Sequence, residues 1–172
     1  MLWLFRNRPQ GLAVDAFELP KNLLAEVSSH AEREYPNECC GMILVERDSG
    51  DWRVRACENA QDRYHAIDPN QFPRTSMNAY FFDSKEVVAI DRELRERGEK
   101  IYAIYHSHPD ADAYFSKEDS LRAVMDGEAI YPDAAQLVLG VENGSVHETA
   151  AFRWCELGKS FERVDVRLVH AG

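Results

Sequence analysis

His106 and His108 stand two positions apart with Ser107 between them and Pro109 after; Ser116 follows eight positions after His108, and Asp119 three after that. Imidazole and carboxylate are metal-ligating groups, and two histidines with one aspartate make a three-ligand zinc site that leaves a fourth position open for water. An open position marks a catalytic site rather than a structural one. Part of the pattern has a plainer account, because Ser-x-x-Asp at a helix start is often a cap whose side chains satisfy free backbone amides. Non-haem iron centres also use two histidines and a carboxylate. Their local spacing of histidine, one residue, then an acid is not what His106-Ser107-His108 supplies. His30, His65, His147 and His170 show no ligand spacing and read as surface or core residues, with His65 alone falling in a long polar stretch. With no second cluster evident, one zinc per chain is expected.

The elements that must position these groups can be read from the pattern. Lys100 to Tyr105 predicts a buried strand, and a period of two throws His106 and His108, at its end, onto one side of the sheet. Pro109 holds His108 extended and stops the strand. Ser116 to about Met125 predicts a helix with Ser116 as cap, Asp119 in its first turn and Gly127 beyond its end. A loop folding back over the strand end then brings Asp119 to the histidines. Upstream, Pro20 to about Tyr35 is helical, since Leu23, Val27, Ala31 and Tyr35 recur at helical spacing. Gly41 to Arg47 and Trp52 to Glu58 form a hairpin across Asp48-Ser49-Gly50-Asp51, which sets Glu38 at the entrance to a strand. Asn59 to about Met77 is polar, carries Pro69 and Pro73, and is expected to be a structureless loop flanking the substrate. Asp83 to Arg97 is a helix opened by a capping box with Glu86 and closed by Gly98. Ala135 to Glu142 and His147 to Trp154 turn at Asn143-Gly144, and Phe161 to Val169 makes a last strand. The fold class is α/β of the α+β kind: a mixed, largely antiparallel sheet flanked by helices.

These residues resemble the signature of the JAMM metalloproteases, the MPN-domain family, in its bacterial single-domain form. That family carries His-x-His-Pro, a serine eight positions after the second histidine, an aspartate three further on, and a glutamate on an earlier strand. His106-Ser107-His108-Pro109, Ser116 and Asp119 match it, and Glu38, just before Cys39-Cys40-Gly41-Met42-Ile43-Leu44, matches the glutamate. The likeness runs from about residue 18 to about residue 154. It departs at Tyr114-Phe115, where many relatives have a small residue and a proline.

The resemblance implies zinc on His106, His108 and Asp119, which would bring a bound water to a pKa of roughly 7. Glu38 is then the general base that later returns the proton to the leaving amine, and the Ser116 hydroxyl helps to stabilise the oxyanion. It also implies a partner, a ubiquitin-like β-grasp protein cut after its C-terminal Gly-Gly. Asn59 to Met77 and Asp126 to Ala134 stand where relatives insert substrate-holding segments, between which a flexible tail could lie as an added strand. The second segment is short and lacks cysteines, so a small sulfur carrier is favoured. The alternatives are a deconjugating isopeptidase of a bacterial ubiquitin-like system and a non-catalytic scaffold; scaffolds of this family lack ligands that this chain retains.

Composition narrows the class further. The 172 residues, 45% hydrophobic, fit one domain spanning 1–172 with a real core. Thirty acidic residues against twenty basic ones give a net charge of -10, the wrong sign for gripping phosphates, so no nucleic-acid partner is expected. No stretch approaches membrane-spanning length. The apolar Met1 to Phe5 is followed rather than preceded by Arg6 and Arg8, a poor secretory signal. Cys39, Cys40, Cys57 and Cys155 lack Cys-x-x-Cys spacing and read as free structural thiols in a reducing cytoplasm. There is no internal repeat.

Overall fold

The computed structural model describes residues 16–170. Residues 1–15 and 171–172, with the Met1 to Phe5 run and both ends of the expected domain, lie outside the described residues. In chain order the elements are β1 (Phe17–Pro20), α1 (Lys21–Glu34), β2 (Cys40–Glu46), β3 (Trp52–Cys57), α2 (Gln61–Ile67), α3 (Ser84–Arg97) and β4 (Glu99–Pro109). They continue with α4 (Lys117–Ala123), β5 (Val124–Met125), β6 (Glu128–Ala129), β7 (Ala135–Glu142), β8 (Ser145–Cys155), β9 (Ser160–Val164) and β10 (Val166–Val169).

Six strands form the main sheet in the order β3-β2-β4-β7-β8-β9. Only β4 and β7 run parallel; the other neighbours are antiparallel. The mixed, largely antiparallel sheet expected from the sequence is therefore what forms. α1 covers one face, burying Leu23, Val27 and Ala31 against Ala103, Tyr105, Leu137 and Leu139. On the opposite face Cys40, Met42, Leu44 and Ile104 pack with Tyr80 and with Ile90 of α3. Since Tyr105 belongs to the first layer and Ile104 to the second, the alternation of β4 assigns His106 and His108 to the second. At Gly41 a Cβ would collide with the Tyr105 ring and come within 2.7 Å of the Arg55 carbonyl, so only glycine lets that ring cross β2.

Four expectations are corrected. First, β4 does not stop at Tyr105. It continues through Pro109 because both neighbours supply partners, β2 with Cys40 opposite His106 and β7 with Gly140 opposite His108 and Val141 opposite Pro109. Second, the span 59–77 is not structureless. It contains α2, held by Asn59, whose Oδ1 accepts from the amides of Gln61 and Phe81, and by Asp62, which accepts from the Ser76 amide and hydroxyl. Tyr64, Phe72 and Phe81 give it a small aromatic core. Third, α4 ends at Ala123, and Gly127 is no helix terminus. With Asp126 it forms the two-residue turn of the β5–β6 hairpin, both at positive φ (53° and 80°), the geometry for which Asp-Gly is suited. Fourth, the last strand breaks at Asp165: β9 pairs with β8, whereas β10 pairs in parallel with β1, a strand not anticipated.

All four cysteines are free. Burial pushes the Cys39 and Cys57 thiols up to about 12, which makes them inert. Among the described residues no helix is long and apolar enough to cross a membrane.

Candidate metal centre

The period-two alternation of β4 brings the two imidazoles together, with His106 Nε2 3.1 Å from His108 Nε2. Asp119 Oδ2 completes a triangle, 3.4 Å from the first nitrogen and 3.5 Å from the second. His108 Nδ1 lies 3.3 Å from the Asp112 carbonyl. A carbonyl only accepts, so Nδ1 carries the proton and Nε2 turns its lone pair inward. His106 is fully buried and stacked on Tyr80, ring centroids 4.6 Å apart. Burial lowers its pKa, with Asp119 opposing, which favours the neutral imidazole that metals bind. Its Nδ1 has no hydrogen-bond partner. Burial also works against the Asp119 charge, but His106, His108 and Ser116 outweigh it and hold the carboxyl far below the usual range.

This donor set fits zinc. Ligand atoms about 2.0–2.1 Å from a tetrahedral ion stand roughly 3.3–3.4 Å from one another, close to the edges of the triangle. Two lone pairs and a carboxylate converging in a buried place repel unless a proton or a cation lies among them.

Asp119 is brought there by the start of α4. Ser116 is the cap, its Oγ accepting from the Asp119 amide at 3.0 Å, and Asp119 Oδ2 accepts from the Ser116 amide at 2.9 Å. The same Oδ2 faces both imidazoles, so capping and ligation are not rival accounts of this residue. Preceding residues hold the loop over β7. Gly140 leaves room for it, since a Cβ there would lie 2.8 Å from the Ala111 carbonyl, and the Ala113 amide donates to Glu148. The unusual Tyr114-Phe115 pair is absorbed. Phe115 stacks on Phe152 and meets Phe161 in a separate apolar cluster, and Tyr114 stands beside His108.

Glu38 enters from the other side. Its amide donates to the Ser76 carbonyl and its carbonyl accepts from the Asn59 side chain, which fixes the backbone just before β2. With His108, Ser116 and Asp119 it lines a cavity of about 130 Å³. Burial first, and the Asp119 charge second, push its carboxyl up to about 9, although Arg122 and Arg74 pull the other way. Ser107, between the two ligands, is also occupied: its Oγ accepts from the Cys39 amide at 2.8 Å and ties β4 to the residue after Glu38.

All five residues expected to carry chemistry thus converge, three as a ligand triangle and two on its cavity. Sequence reading missed Tyr80, Arg74 and Arg122, which come from a segment and a helix face with no motif. It also found no second ligand cluster, and the structure overturns that. Asp112, His147 and Glu148 come within ligand distance because the β7–β8 register shifts between Gly140 and Val141, leaving His147 without a partner and breaking its alternation with Glu148. That group is more exposed, and Glu148 is already bound to the Ala113 amide and to Arg163. His65 Nδ1 donates to the Phe72 carbonyl and His30 bonds Tyr105, both serving the fold.

A His-His-Asp triangle contributed by one strand and one helix turn thus stands beside a buried glutamate in a mixed α+β sheet. The family of prokaryotic homologs of the JAB domain matches residues 20–155, and this chain belongs to it. Among named relatives, the CysO-cysteine peptidases of Mycobacterium tuberculosis and Mycobacterium bovis are each 26% identical over 145 residues, covering 84% of this chain and 87% of theirs. The fold is similar to the solution structure of a Desulfitobacterium hafniense protein (TM-score 0.64, 22% identity, 90% of this chain and 94% of that one). It is also similar to the crystal structure of a JAB1/MPN domain protein from Archaeoglobus fulgidus (TM-score 0.51, 14% identity, 91% and 100%).

Proposed function

We propose that this protein, acting as one domain over residues 1–172, is a zinc metallopeptidase. It hydrolyses the bond after the C-terminal Gly-Gly of a ubiquitin-like β-grasp protein, a small sulfur carrier. The observation that carries the reading is the convergence of His106 Nε2, His108 Nε2 and Asp119 Oδ2 within 3.1–3.5 Å, with Glu38 and Ser116 on the adjoining cavity. Relatives named CysO-cysteine peptidase support peptidase chemistry and an amino acid as leaving group. The segment after α4 is a short β5–β6 hairpin without cysteines, which supports a small carrier over a polyubiquitin chain.

Zinc held by the triangle would supply a hydroxide nucleophile near neutral pH and polarise the scissile carbonyl. The protein's own groups do the rest. The Asp112 carbonyl fixes the His108 tautomer, and the Ser116 amide fixes the Asp119 carboxylate. Ligation would offset the Asp119 charge, which after burial is the largest of the three causes holding the proton on Glu38, Glu118 being the third. The Glu38 carboxylate can then take a proton from water and hand it to the leaving amine. Because Ser116 Oγ accepts from the Asp119 amide, its own proton is left to donate to the oxyanion.

The test is a β-grasp carrier extended beyond Gly-Gly, incubated with the protein and weighed by mass spectrometry, with an isopeptide-linked conjugate in parallel. Cleavage directly after the second glycine, abolished by chelator, is expected. Equal cutting of unrelated unstructured peptides would leave only a general metallopeptidase. Elemental analysis should find one zinc per chain, and His106→Ala should lose it.

A further inference from the structure

The cavity beside the ligand triangle holds two guanidinium groups that the mechanism does not use, Arg74 and Arg122. Glu118 lies between them, one carboxylate oxygen 2.7 Å from Arg74 Nε and the other accepting from Arg122 Nη2 at 2.9 Å. Arg122 is otherwise spent on the Tyr80 carbonyl and Gln61 Oε1, tying α4 to the segment before α3. Arg74 is different. Its Nη1 donates to the Asn78 carbonyl at 3.2 Å, and its Nη2 has no partner among the described residues. The side chain is 48% exposed, at the mouth of the cavity.

Two guanidiniums against one glutamate leave this wall cationic, and a free Nη2 beside a half-used Nη1 is a fork that matches a carboxylate. Near the reacting centre, such a carboxylate has one natural origin. When the leaving group is a single amino acid, its α-carboxylate is separated from the scissile nitrogen by one carbon. Each further residue carries it roughly 3.3–3.6 Å away. At about 130 Å³ the cavity is also far smaller than the roughly 300–1,000 Å³ pockets that enclose larger ligands. Building on the peptidase reading above and its amino-acid leaving group, we propose that Arg74 is a specificity-determining residue that binds the free α-carboxylate of that leaving group.

The experiment uses the carrier cleaved in the assay above, extended past Gly-Gly by one cysteine, with the terminus as free acid or as carboxamide. Wild-type kcat/KM for the acid should exceed that for the amide on the order of 10- to 100-fold, the worth of a charged hydrogen-bonded contact. Arg74→Gln should erase the acid-to-amide preference. The ratio is the readout because Arg74 also favours ionised Glu38, so that its loss slows both substrates by a common factor. Arg74→Lys, which keeps the charge but not the fork, should restore part of the preference. Thermal melts and zinc content of both variants report on folding. If Arg74 only staples the chain to Asn78 and Glu118, Arg74→Gln slows both substrates alike and the preference survives, which overturns the inference. Equal wild-type rates on acid and amide overturn it too, without touching the peptidase reading. A zinc-loaded enzyme that cuts neither substrate sinks both.

Discussion

Glu38 and Glu99 are nearly equally buried, 6% and 5% exposed, at opposite ends of the β2–β4 ladder. Their carboxyls are held in opposite states. Glu99 receives Arg53 through Nε at 2.7 Å and Nη2 at 2.6 Å, and Arg97 through Nε at 2.9 Å. The Arg53 hydrogen bonds, with help from Arg97 and against burial, keep its pKa below the usual range. Arg53 and Arg55 extend the network to Glu93 and Glu86, binding β3 to α3. Glu38 has no hydrogen bond to its carboxylate among the described residues, and burial drives its pKa up to about 9. One end of the ladder thus compensates its buried acid, and the other leaves it uncompensated beside a ligand triangle. An acid kept where its charge is disfavoured contributes little to the fold, and such groups cluster where proton transfer is needed.

The sharpest way to break this comparison is to remove each carboxylate in turn. Glu38→Gln should retain zinc, since Glu38 is not in the triangle, but lose hydrolysis by about 100-fold to 10,000-fold, the usual contribution of a general base. Single-turnover cleavage of the extended carrier measures it. A fully active variant would remove Glu38 from the mechanism. Ser116→Ala comes next, with a loss on the order of 100-fold to 1,000-fold in kcat for one oxyanion donor. It must be paired with a denaturation curve, because the lost cap costs about 1 kcal/mol by itself.

At the other end, Glu99→Gln should leave kcat unchanged while lowering stability by roughly 1–3 kcal/mol, since two guanidiniums lose a charged acceptor. Urea denaturation of the zinc-loaded protein reads the loss. A variant as stable as wild type would show that the Arg53 and Arg97 contacts are solvated substitutes for one another.

How much of this was legible in the sequence follows from distance along the chain. His106, His108 and Asp119 fall within one strand and the first turn of the next helix, where periodicity and capping chemistry act locally, so the triangle could be read. Glu38 was reachable only through its likeness to a family signature, because nothing near it in sequence says that it is buried. Tyr80, Arg74 and Arg122 were invisible. The segment carrying the first two is organised by Tyr64, Phe72 and Phe81, which meet in space without periodic spacing. The same reasoning accounts for β1 and β10, four-residue strands that pair across nearly the whole chain. It also covers the Asp112, His147 and Glu148 group, which depends on a register shift that no residue announces.

The last test separates the two glutamates by pH, in protein stripped of zinc by chelator. Glu99 has a lowered folded-state pKa, so the unfolded chain binds more protons than the native one between the two values. Its contribution to stability is present above the unfolded pKa, near 4.3, and is lost as pH falls through the folded value. Glu38 has the opposite sign. The native state holds its proton up to about 9 while the unfolded chain releases it near the ordinary carboxylate value, so its contribution declines as pH rises between them. Glu38→Gln removes the group that titrates, and should therefore gain stability relative to wild type as pH goes from 5 to 8. Glu99→Gln should lose relative to wild type over pH 3 to 5, and then hold a constant deficit. Parallel urea curves at pH 3, 4, 5, 6, 7 and 8 give both slopes. If the Glu38→Gln difference stays flat across pH 5 to 8, Glu38 is not held protonated by the fold, and the contrast between the two ends of the ladder collapses.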